Sequence, residues 1–307
     1  MNHSTTAYNS SLPLATPSPQ SECINPLHLT VAAINTISFF INIFHLAVIT
    51  RLDSLKGTQY RLILINISLS DMANTLVVAV FYSCHNVFLK NFLDGEPALK
   101  IPIDTMMTSA NYIGYHVFLV ASIQKYLAIC KPIAYRTSSF VNRLPAPFAL
   151  SWTYIVLVNL SFCLGEVLFS GSQKEKFQVI RTVLLSIPPN VLTGILLTKV
   201  CQAMKVRSRV KAVRKKLNAP KVNAEVRNGA KYLMIIFTIE MMVFLLNVVC
   251  LIVTGQTGSF NVCNIWNGFI KAPYTIANTI IYGWRTEPYR RHVRRIFGCQ
   301  SASIESV

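Results

Sequence analysis

Asp71, Glu240 and Lys271 each fall inside a long apolar run. A charge buried at that depth in lipid costs about 3 kcal/mol or more unless it is paired or hydrated. Glu240 and Asp71 are therefore the expected partners of Lys271, unless the lysine meets an anionic group on a ligand. Lys271 also belongs to a polar stripe, because Asn264, Asn267, Lys271 and Asn278 recur at steps of 3, 4 and 7. In an earlier run Asp104, Met107, Thr108, Asn111 and Tyr115 recur at three- and four-residue steps, marking one face of a helix. No Ser-His-Asp set, metal-ligating cluster or phosphate-cradling loop accompanies these groups, and the eight cysteines show no CxxC spacing. The expectation is a binding or sensing protein, not an enzyme, with no cofactor.

The elements that carry these residues are set by composition. Of the 307 residues, 52% are hydrophobic and 13% charged, and the mean hydropathy is +0.43. Water-soluble domains carry about a quarter charged residues, so the deficit points to a bilayer. Seven stretches reach the roughly 20 residues needed to cross it as a helix: 29–50, 61–84, 102–124, 148–170, 178–200, 232–254 and 263–283. The fold expected is an all-α membrane protein, a seven-transmembrane helix bundle. A polar tail, 1–28, precedes the bundle at 29–283, and a cytoplasmic tail with an amphipathic helix follows at 284–307.

Charge sets the orientation. The chain carries a net +17, and 23 of its 29 Lys and Arg fall on one set of alternate connectors, eleven of them within Lys199–Lys231. The positive-inside rule then places the amino terminus outside and the carboxyl terminus in the cytoplasm. The basic excess reads as a membrane-face feature, with lipid headgroups and not nucleic acid as its partner. Arg207, Lys211, Arg214 and Lys215 recur at helical steps, which suggests that the fifth helix extends below the membrane. Met1–Ser21 has no apolar core and reads as no secretory signal. It offers glycosylation sequons at Asn2 and Asn9, whereas the matches at Asn66 and Asn159 lie inside spans. Tyr289, Val293 and Ile296 mark the apolar face of the terminal helix, with Arg290, Arg291, Arg294 and Arg295 toward headgroups. Cys299 just beyond is a palmitoylation candidate.

The third run closes on Gln124-Lys125-Tyr126-Leu127-Ala128-Ile129-Cys130-Lys131-Pro132 and turns into a basic loop. This resembles the cytoplasmic end of the third helix of rhodopsin-like G-protein-coupled receptors, where the triplet is usually Asp-Arg-Tyr. Asn42, the Asn66–Asp71 segment, Trp152, Pro188-Pro189 and Asn278-Thr279-Ile280-Ile281-Tyr282 carry the resemblance further. Tyr126–Pro132 and Asn278–Arg285 also look like segments of olfactory-type receptors, although the second outer loop here is short and lacks cysteine.

The resemblance implies a plasma-membrane receptor that senses an extracellular ligand and signals to heterotrimeric G proteins. Its coupling residues would be Gln124, Lys125, Tyr126, Asn278 and Tyr282. Its ligand pocket would be lined by Asp104, Met107, Asn111, Glu240, Phe244, Asn267 and Lys271. Asp71, with Asn278 as partner, would correspond to the family's sodium site, although Gly114 stands where receptors often have Ser. A Cys23–Cys263 bridge would tie the tail to the seventh helix as in chemokine-type receptors; the alternative is free thiols. Met107 aligns with the cation-binding Asp of amine receptors, leaving Asp104 as a substitute or as a solvated acid at the helix start. Lys125 presents a point charge where the family has a planar guanidinium, and no Cys-Trp-x-Pro switch occurs in the sixth run. Competing readings are a chemosensory receptor, a non-signalling member, and an opsin-like protein with retinal on Lys271 as a Schiff base.

Overall fold

The computed structural model describes residues 26–52, 59–84, 97–139, 143–168, 172–213, 234–246, 248–249, 260–285 and 287–297. Among the described residues the regular structure is helical and no strand occurs. In chain order the helices are α1 (Pro26–Arg51), α2 (Gln59–Cys84), α3 (Pro97–Cys130), α4 (Pro132–Thr137), α5 (Pro145–Leu168), α6 (Ser172–Val213), α7 (Met234–Leu246), α8 (Phe260–Arg285) and α9 (Glu287–Ile296). Asn2, Asn9, Cys23 and Cys299 lie outside the described residues, as do the side chains of Cys263, Asn267 and Tyr282.

Among the described residues, five helices are long and apolar enough to cross a membrane, with apolar spans Pro26–Arg51, Arg61–Val80, Ile101–Cys130, Pro145–Gly165 and Val179–Val206. Their packing is inside-out relative to a water-soluble bundle. On α1 the polar Asn35, Ser38, Asn42 and His45 are buried, while Ile37 is 57% and Phe40 61% exposed. The same inversion puts Leu157, Leu192 and Leu245 outward and Asn159, Thr193 and Glu240 inward. Apolar surface at that exposure is stable against hydrocarbon. These features define a helical multi-pass membrane protein.

Helix α3 is the centre of the bundle: it packs on α2, α5 and α6, while α1 packs on α2 and α8. The largest apolar cluster joins Ile49 of α1, Ile63 and Leu64 of α2, Ile113 and Val117 of α3, Ile155 of α5, Leu185 of α6, Ile236 of α7 and Tyr289 of α9. Gly194 of α6 faces α7, where a Cβ would meet the Phe237 ring at 3.5 Å, ordinary contact distance.

Two helices run well beyond their expected spans, and the far end of α6, to Val213, is the extension that its basic repeat suggested. α3 starts at Pro97 and continues to Cys130 because Tyr126 and Ile129 still pack on Val200 and Met204 of α6. α6 is 42 residues long and passes through Pro188 and Pro189 without ending. The basic loop expected after Lys131 contains a six-residue helix, α4. Pro132 opens it, where a missing N–H costs nothing, and Tyr135 N donates to Lys131 O at 2.8 Å.

Candidate functional site

The residues of α2, α3, α7 and α8 with the highest cost of burial converge. Asp71, Glu240 and Lys271 are 6%, 5% and 7% exposed, and they line one small cavity together with Ser70, Asn74, Asn111, Gly114 and Tyr274. The centre of a water molecule has about 30 Å³ to move in there. One such sphere needs roughly 10–15 Å³, so the space suits a few waters or a small ion and is too small for an organic ligand.

Each polar head in the cavity is positioned by a neighbour on another helix. Lys271 Nζ donates to Asn111 Oδ1 at 2.9 Å, joining α8 to α3. Asn278 Nδ2 donates to Asp71 Oδ2 at 3.3 Å, joining α8 to α2. Glu240 brings α7 in: its Oε1 lies 3.8 Å from where a Cβ on Gly114 would stand, and Tyr274 of α8 lies beside it. Lys271 lines the same cavity as both carboxylates. Glu240 Oε2, Asn74 Oδ1 and Asn278 Oδ1 are buried without a hydrogen-bond partner, so the cluster carries spare acceptors.

A second polar seam holds α8 against α1. Thr279 Oγ1 donates to Asn42 Oδ1 at 2.8 Å, Ser38 and Thr275 share a hydrogen bond, and Asn35 Nδ2 donates to Gly268 O at 3.2 Å. Thr279 stands where the resemblance expects proline, and its hydroxyl supplies an interhelical bond instead.

The remaining expected site residues are spread along the bundle. Asp104 and Met107 are half-buried on α3, two turns and one turn before Asn111 respectively. Phe244 is buried and packs edge-on against Tyr115, ring centroids 6.0 Å apart. At the far end of α3, Gln124 Nε2 donates to the Tyr135 hydroxyl at 3.1 Å; Lys125 and Tyr126 are half-buried. Trp152 Nε1 donates to Asn66 Oδ1 at 3.4 Å. Tyr274, Thr275, Ser38 and Tyr135 escaped the sequence reading. Tyr274 was within its reach, three residues beyond Lys271 and so on the same helical face.

Among the described residues no group of three or more His, Cys, Asp or Glu side chains could hold a metal ion. A sodium ion at Asp71 would find no hydroxyl on α3 at Gly114 and would share its cavity with the Lys271 ammonium, so these residues fit that ion poorly. Set against known proteins, the chain matches no family model and no curated protein.

Proposed function

We propose that the chain is a seven-span plasma-membrane receptor, amino terminus outside, that senses an extracellular ligand and signals through heterotrimeric G proteins. The observation that carries this reading is the four-helix polar cluster. It couples α7 and α8 to α2 and α3 at mid-bundle, so that a ligand displacing α7 from outside alters contacts deeper in the membrane. α7 and α8 would provide the sixth and seventh spans. The cluster's cavity is too small for the ligand, which leaves Asp104 and Met107 as contacts nearer the helix start. Lys271 is held by Asn111 and shares its cavity with two carboxylates, so it serves the bundle and not an anionic ligand.

The test combines topology with signalling. Tags at the two ends are expected to be reached by antibody on intact cells at the amino end alone. A ligand-independent second-messenger panel is expected to show a basal output that Gln124→Asp with Lys125→Arg changes. No change in any channel, with the topology upheld, favours the non-signalling reading, which the neutral Gln124–Tyr135 contact in place of a charged latch supports. Retinal is expected to produce no visible absorbance band; a band abolished by Lys271→Ala would favour the opsin-like reading.

A further inference from the structure

We infer that Lys271 is the resident cation of the bundle: an ammonium tethered to α8 that serves Asp71 and Glu240 as their counter-ion, so that no free metal cation is needed there. The inference goes beyond the receptor reading and holds whether or not the chain signals. Three observations carry it. Both carboxylates are nine-tenths buried on different helices and line the same cavity as the lysine. The ammonium is fixed by its bond to Asn111 Oδ1 at 2.9 Å, which ties α8 to α3. The hydrogen-bond balance also suits a donor-rich ion. Lys has three N–H donors and one goes to Asn111, while Glu240 Oε2 and Asn278 Oδ1 lack donors.

A bound metal ion suits the same cavity less well. A metal cation takes oxygens and offers no protons. Here Gly114 supplies no oxygen, and Asp71 already accepts from Asn278 Nδ2. A second positive charge in the same low-dielectric cavity is repelled by the ammonium. Each carboxylate has a neutral neighbour as well, Asn278 for Asp71 and Tyr274 for Glu240. The arrangement makes one fixed charge hold α2, α3, α7 and α8 together.

The test is thermal unfolding of the purified full chain in detergent micelles, in sodium chloride and in choline chloride at matched ionic strength. The native chain is expected to melt at the same temperature in both salts. Lys271→Met is expected to melt roughly 5–10 °C lower in choline, the scale for an uncompensated buried charge in a chain of this size, and to regain most of that in sodium. Lys271→Met with Glu240→Gln is expected to recover stability in choline, since one carboxylate less needs a counter-ion. Sodium-specific stabilisation of the native chain overturns the inference on its own, even if the single variant fails to fold. A loss in Lys271→Met that sodium does not reverse, or no loss at all, overturns it too.

Discussion

Gln124 of α3 and Tyr135 of α4 are joined by one hydrogen bond, amide Nε2 to phenol oxygen at 3.1 Å. It closes the carboxyl-terminal end of α3 on the short helix that follows. Burial raises the Tyr135 phenol above its ordinary value, while the bond to Gln124 acts the other way. Both partners therefore stay neutral through physiological pH. A double-mutant cycle with Gln124→Leu and Tyr135→Phe is expected to give a coupling of about 0.5–1.5 kcal/mol in denaturant unfolding. A coupling of zero would show that the contact only accompanies the packing.

Asn111 is the acceptor that fixes Lys271. Asn111→Leu keeps the volume close and removes the acceptor, so a charged donor loses its partner. The expected cost is about 1.5–3 kcal/mol, larger than for an ordinary half-buried polar position. Unfolding in detergent measures it, and a loss within error of zero would mean that the ammonium finds another acceptor unaided.

Gly114→Ser is expected to stabilise. The added Cβ meets Glu240 Oε1 at 3.8 Å, ordinary contact distance, and the hydroxyl gives the carboxylate a donor from α3. Serine also removes part of the entropic cost of glycine in a helix. The gain expected is about 1 kcal/mol, read as a rise in melting temperature. A fall would mean that α7 cannot keep its place with a side chain at that position.

Tyr289 anchors α9 to α1, its ring edge-on to His45 at 5.2 Å between centroids. Burial pushes its phenol from 10.0 up to about 12. The folded state holds this proton more tightly than the unfolded one, so the contribution to stability is complete below pH 10.0 and is lost between there and about 12. Tyr289→Phe should flatten unfolding free energy against pH across that window. Phenolate absorbance of the native chain should show one fewer tyrosine titrating early in the variant's difference spectrum only if this assignment fails.

Much of the polar core was legible because lipid makes polar residues conspicuous. Asp71, Glu240 and Lys271 interrupt apolar runs, and Asn111 and Asn278 fall at helical steps on the faces that meet them. The seam of Ser38, Thr275 and Thr279 was harder to read. Single hydroxyls satisfy themselves on the preceding turn, as Thr275 does with Ala272 O, so their presence carries little signal until a partner helix is known. Helix ends were misjudged for a physical reason: hydropathy marks the edge of the hydrocarbon, whereas helical hydrogen bonding continues wherever side chains still pack, as at Tyr126 and Ile129. The contact of Gln124 with Tyr135 was hidden by reading the segment after Lys131 as a loop.

At 1.5 Å per residue, the 42 residues of α6 would make a rod of roughly 63 Å if straight, about twice the thickness of the oily layer. On the proposed orientation its overhang, which includes Lys205, Arg207, Arg209 and Lys211, stands below the bilayer like a mast stepped through a deck. A mast swings farthest at its tip. A tilt of α6 too slight to open the bundle would still carry that positive load across a distance that a partner in the cytoplasm could feel.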